Sequence, residues 1–236
     1  MRASSVATVV VGAVAALVIA PAAQATALGS TAPDPTAPDS TDARAARAAD
    51  PDATAAIGRV NLVVDGEQVT EPPIAPCAVS GEQANDTRGV QVGDLVSYGS
   101  ARTGCAPNED GTVTAWTEGR RFTLDALTEY GGPELGVRTY SSSCSTVENG
   151  STARMTVGGV RGFQVPEEIP PNHTVLVPGA NEGDPPMAKI VLNESIVPEP
   201  PTGELTVNTV RIELFPEGGP VTGEVELGSV TCQPVG

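Results

Sequence analysis

Glycine and proline interrupt this chain so often that a long helix has no room to form. There are 26 Gly and 22 Pro among 236 residues, and the runs between them place apolar residues at every second position. Val60, Leu62 and Val64 alternate up to an Asp65-Gly66 turn. Val90, Val92, Val96 and Tyr98 follow, and Asn108-Glu109-Asp110-Gly111 is a turn leading to Val113, Ala115 and Thr117. Phe122, Leu124 and Ala126 come next, then runs over residues 137–146, 152–157 and 174–177. Ala188, Ile190 and Leu192 alternate with Lys189 and Asn193 as a half-buried strand. The period is two throughout, and it predicts an all-β domain, an antiparallel β-sandwich or a Greek-key barrel.

The last hairpin carries a further signal. Leu205 and Val207 lie in one phase, but Val210, Ile212 and Leu214 lie in the other. The return strand does the same, with Val225 and Leu227 in one phase and Val230 and Cys232 in the next. The two strands flank Phe215-Pro216-Glu217-Gly218-Gly219-Pro220. A phase change in both strands predicts bulges near Asn208-Thr209 and Gly228-Ser229, with strands covered on both faces as the alternative.

The first 25 residues are of another kind. Arg2 precedes an apolar run from Val6 to Ala20, then Pro21 and Ala23-Gln24-Ala25, which is the order of a secretory signal peptide. Cleavage is expected after Ala25, leaving Thr26 as the N-terminus, and the apolar run is too short to span a bilayer. Residues 26–56 are Ala-, Pro-, Thr- and Asp-rich and predict a disordered linker, because they cannot bury enough surface to offset chain entropy. The folded domain is then expected over 57–236.

Net charge is −16, which argues against nucleic acid and anionic membrane surfaces as partners. Of 13 basic residues only Lys189 is a lysine, a usage expected of a GC-rich bacterial genome. Four cysteines, Cys77, Cys105, Cys144 and Cys232, in an exported chain predict disulfides. No two are separated by the two to four residues of a zinc pair, so no metal is expected on them. Four cysteines allow three connectivities, of which the sequential one is the first expectation.

The stretch from Gly136-Val137-Arg138 through Ser141-Ser142-Ser143-Cys144, then Thr156-Val157-Gly158-Gly159-Val160, resembles the choice-of-anchor P family of secreted bacterial proteins. The resemblance continues through Pro171-Asn172-His173-Thr174, the run over 188–194, the run over 203–208 and Gly228-Ser229-Val230-Thr231-Cys232. It covers residues 110–232 well and 57–109 loosely. It implies an exported β-rich domain with no shared activity, whose members differ in their C-terminal anchoring tails. It also implies that Cys144 pairs with Cys232, which leaves Cys77 for Cys105. This chain lacks an LPxTG-like signal and an apolar tail before Gly236, so covalent wall attachment is not expected.

No catalytic residue is assigned. His173, the only histidine, follows Pro170-Pro171-Asn172 and reads as a solvated loop residue; no G-x-S-x-G elbow accompanies any serine. Glu167-Glu168, Glu194 and Glu204 are candidates for the paired carboxylates of a glycosidase, but 3% aromatic residues are thin for stacking a sugar. Asn108–Gly111 and Asn181-Glu182-Gly183-Asp184 are acidic loops that miss the twelve-residue calcium pattern. Trp116, the sole tryptophan, sits out of phase with Val113 and Ala115 and is expected in the core. The expectation is a secreted, monomeric, non-catalytic β-domain with no cofactor and an extracellular or cell-surface partner. The alternatives are a weak calcium- or glycan-binding module, and after it a secreted hydrolase using paired carboxylates.

Overall fold

A computed structural model describes residues 5–12 and 50–234. The linker reading for 26–49, and the leader apart from 5–12, lie outside the described residues. In chain order the strands are β1 (Ser5–Gly12), β2 (Asp52–Val64), β3 (Glu67–Glu71) and β4 (Cys77–Ala78). Short strands follow: β5 (Ala84–Thr87), β6 (Val90–Val92), β7 (Val96–Tyr98) and β8 (Ala101–Pro107). Three long ones come next, β9 (Val113–Leu124), β10 (Leu135–Val147) and β11 (Gly150–Arg161). The series ends with β12 (His173–Val177), β13 (Ala188–Ile196), β14 (Leu205–Leu214) and β15 (Val221–Gln233). Among the described residues the only helical element is a 3-10 turn, Thr128–Tyr130.

The strands form two antiparallel sheets packed face to face, so the sandwich is the form adopted. An eight-stranded sheet runs β1-β11-β10-β9-β7-β6, with β8 also on β9 and β5 outside β8. A seven-stranded sheet runs β12-β13-β14-β15-β2-β3, with β4 also on β2. The Asp65-Gly66 turn behaves as its sequence requires: both residues are left-handed (φ 50° and 85°), which suits the twist of a two-residue hairpin. The domain begins earlier than its composition shows. β2 starts at Asp52 rather than Ile57, and Ala53 and Ala55 are buried. Alanines carry little hydrophobic signal, yet they are the size that end of the core accepts. Ser5–Gly12, inside the segment read as a leader, lies antiparallel on β11 and pairs with no other strand, Ser5 opposite Val157 and Gly12 opposite Gly150.

Between the sheets lie two apolar clusters. The larger holds Tyr98, Phe122, Leu124, Met155, Ile190, Ile212 and other large side chains. The smaller is built of Ala53, Ala55, Ala115, Ala153, Val113, Leu205, Val207, Val230 and all four cysteines. Cys77 bonds Cys105 and Cys144 bonds Cys232. Each bond joins the two sheets, β4 to β8 and β10 to β15. Small side chains bury little area at roughly 25 cal/mol per Å², and the covalent links hold together the end of the sandwich that packing holds least.

The phase change in β14 and β15 is real, but it is not an inserted residue. Asn208 faces Ser229 and Val210 faces Leu227, so Thr209 and Gly228 are skipped together and the register is the same on both sides. The same interruption crosses the whole sheet: Asn193 in β13 and Ile57 in β2 are skipped on the same row. Asn193 (φ 52°) and Gly228 (φ 68°) are left-handed, and their neighbours Thr209 and Ile57 are not. The facing sheet repeats the device, with Arg121 (φ 59°) and Gly159 (φ 65°) left-handed on either side of Arg138. A left-handed residue in alternate strands swaps which side chains face inward without shifting the pairing. The bulge expectation is corrected accordingly.

At this row backbone groups turn into the core and need partners. Ser142 donates to the Gly228 carbonyl at 2.9 Å, and Thr209 donates to it at 3.3 Å. Thr117 meets the Ser142 hydroxyl at 3.0 Å. Tyr98 donates from one sheet to the Glu226 carbonyl of the other at 2.8 Å. These bonds form a polar seam between the two apolar clusters. Tyr140 stands close by, with its ring filling the space where a Cβ of Gly119 would be, but its buried hydroxyl has no hydrogen-bond partner among the described residues. The two tyrosines should therefore respond in opposite ways. Tyr98→Phe is expected to cost about 1–2 kcal/mol because it strands a buried carbonyl, whereas Tyr140→Phe should be neutral or slightly stabilising. Urea unfolding of the two variants checks the contrast.

Candidate functional site

The outer face of the seven-stranded sheet carries a chain of charges that crosses four strands. Glu194 on β13 accepts from Arg211 Nε on β14 at 2.7 Å and from Asn208 Nδ2 at 2.8 Å. Arg211 reaches Glu224 on β15 at 3.6 Å. Arg59 on β2 then bridges Glu224 at 3.4 Å and Glu226 at 2.7 Å. Residues of opposite charge on adjacent strands, outward on the same face, make this ladder. The carboxylates read from the sequence do not converge here as a pair: Glu194 is buried in the ladder, Glu168 is exposed and Glu204 is half-buried elsewhere. Glu224 and Glu226 do share a site, and the sequence reading missed them. Their i, i+2 spacing on a strand was the available signal.

Arg59 and Glu226 line a groove of about 470 Å³ between β2, β15 and the segment around Pro73–Glu82. Burial pushes the Glu226 carboxyl above its ordinary range, and the hydrogen bond from Arg59 opposes that rise. A raised carboxyl in a groove is what a general acid needs. Here, however, the Arg59 guanidinium sits between the two carboxylates, where the scissile oxygen of a glycoside would have to lie. The sign of the coupling is testable. Since the folded-state value lies above the ordinary one, ionising Glu226 opposes folding, a penalty absent in acid and fully present above the folded-state value. Arg59→Gln removes the opposing hydrogen bond, so the Glu226 midpoint read by carbon NMR should move higher still. A downward move would contradict the assignment.

The remaining sequence candidates separate. His173 opens the edge strand β12 opposite Leu192, half-buried rather than in a loop. In the acidic loops the oxygens serve the turns: Asp110 accepts from the Thr112 amide at 3.0 Å, and Asp184 accepts from the Asn181 amide at 2.9 Å. Among the described residues no three His, Cys, Asp or Glu side chains are grouped to hold a metal. Trp116 is a correction. It lies on the outer face of the eight-stranded sheet, half-buried, with its ring over Gly104 and the Arg102 guanidinium 5.4 Å from the ring centroid. Its phase opposite Val113 and Ala115 already directed it outward, and Gly104 on the neighbouring strand gives the ring a seat.

That outer face is unlike the rest of this acidic chain. Two adjoining hollows lie on it, of about 690 and 650 Å³. Arg88, Arg102 and Arg120 line the first, together with Asp86, Glu118 and the hydroxyls of Ser100, Thr139, Ser141 and Thr156. Arg121, Arg138 and Arg161 line the second, which has no carboxylate in its lining. Strand pairing assembles them: Arg120 sits opposite Thr139, which sits opposite Gly158, and Thr123 faces Gly136, which faces Arg161. The left-handed Arg121 and Gly159 belong to the second hollow, on the row next to Arg120 and Thr139 of the first.

The fold and its surfaces thus define a double-stapled antiparallel β-sandwich with one zwitterionic and one arginine-rich outer face. No family model, no curated protein and no solved structure matches the chain. No helix among the described residues is long and apolar enough to cross a membrane.

Proposed function

We propose that this chain is an exported, non-catalytic β-domain that acts by binding a partner outside the cell or at its envelope; the choice-of-anchor P resemblance implies the exported β-rich domain. The observation that carries the non-catalytic reading is the Arg59 guanidinium bridging Glu224 and Glu226, which ties up Glu226, the raised carboxyl of the groove. Export is supported by the two disulfides, which belong to an oxidising compartment, and by the leader pattern ending at Ala25. The Cys144–Cys232 bond is the pairing the resemblance implies. Each outer face is broad and backed by a stapled core, which favours recognition over enclosure of a small substrate.

The test is to add labelled purified protein to the cells that produce it and to assay the same preparation on glycoside and peptide substrates. Saturable surface binding without turnover is expected. Hydrolysis that disappears in Glu226→Gln would overturn the reading.

A further inference from the structure

We infer that the outer face of the eight-stranded sheet is a docking surface for a linear polymer of repeated phosphate groups without nucleobases, since the arginine fork pairs with phosphate bidentately. The inference rests on the binding-domain reading and names its partner class. Its ground is charge segregation. The chain carries 29 acidic and 13 basic residues, yet six arginines line two adjoining hollows on one sheet face. Among the described residues only two of the six find an acidic partner: Arg102 pairs with Glu118 at 2.7 Å and Arg161 with Glu134. Arg120, Arg121 and Arg138 are exposed and form no ion pair with a described residue.

The geometry suits a polymer better than a single ion. Neighbouring strands are about 4.8 Å apart, and Arg120, Arg121, Arg138 and Arg161 fall on three adjacent strands, so their stems are spread across the face rather than gathered around one point. Arginine offers a planar fork of donors that matches tetrahedral oxyanions, and it is less strongly hydrated than lysine. The hydroxyls of Thr139, Ser141 and Thr156 between the arginines add neutral donors on the same face. The second hollow lies wholly on strands, as do Arg102 and Arg120 of the first, so most of the donors are presented without a cost of ordering a loop. The acidic remainder of the molecule repels a polyanion elsewhere, confining it to this face. Nucleic acid is a poorer fit, because the surface offers Trp116 alone as a stacking platform.

The experiment measures affinity of the purified secreted protein for polyphosphate, a sulfated polysaccharide, polyglutamate and single-stranded DNA. Tightest binding to polyphosphate is expected. For four contacts, raising salt from about 50 to about 200 mM should weaken binding roughly 50-fold. The double variant Arg121→Gln/Arg138→Gln should lose at least about tenfold in affinity and roughly half of that salt slope. Lys189→Gln, which removes a positive charge from the other sheet, should leave affinity within about twofold. An unchanged melting temperature in both variants excludes misfolding as the cause. No binding at low salt, equal loss in both variants, or tighter binding to the sulfated polysaccharide, polyglutamate or DNA would overturn the inference. Those outcomes leave the non-catalytic reading standing, since that reading falls only on turnover.

Discussion

Replacing Cys144 and Cys232 by alanine should lower stability by about 4–5 kcal/mol in chain-entropy terms, because the bond closes a separation of 88 residues. For a domain of this size that corresponds to roughly 10–20 °C in melting temperature. Removing Cys77–Cys105, whose separation is 28 residues, should cost less, about 3–4 kcal/mol. Both bonds lie in the alanine-rich cluster and both join the two sheets. The loss should accordingly appear first as opening of that end, with amides of β14 and β15 near Val207 and Val230 exchanging before those near Ile212 and Val225. Calorimetry gives the magnitude and hydrogen exchange gives the place. A larger loss from the shorter loop, or uniform exchange, would show that loop closure and the weak small cluster are not what the bonds compensate.

Gly228→Val should be nearly as damaging, at about 3–4 kcal/mol. At φ 68° an L side chain is strained by roughly 1–2 kcal/mol, and a Cβ there would lie 2.4 Å from Thr209 Oγ1 and 3.3 Å from Tyr140. Overpacking of that kind adds about 1–3 kcal/mol. Gly66→Ala is the internal control. Its φ is 85°, yet no atom lies within 4 Å of the added carbon. It should cost only the conformational part, about 1 kcal/mol. Equal losses at the two positions in urea unfolding would mean that Gly228 is needed for its backbone alone and not for the row it shares with Asn193, Thr209 and Ile57.

Much of this fold is legible in residue types, and the rest is hidden for physical reasons. Alternation at Val60–Val64 and Ala188–Leu192 reads directly because each strand has one wet and one buried face. The phase change at Val207–Val210 was visible, but an extra residue and a left-handed one leave the same mark in a sequence. Asn193 and Arg121 show why: their left-handed conformation is imposed by neighbouring strands, and neither residue type demands it. Ala53 and Ala55 read as linker because alanine does not announce burial. The arginine face was least legible. In the sequence Arg120-Arg121 is an isolated basic pair, whereas Arg138 and Arg161 join it from two other strands once the register is set. Trp116 was legible in phase and misassigned in burial, because its seat is the absence of a side chain at Gly104.

The most direct measurement is non-reducing peptide mapping by mass spectrometry of the protein collected from the growth medium. It reads export, processing and the two staples together. The expected result is a chain beginning at Thr26 with Cys77 linked to Cys105 and Cys144 linked to Cys232. Free thiols at Cys144 and Cys232, a different pairing, or a chain found only inside the cell with Met1 retained would contradict it.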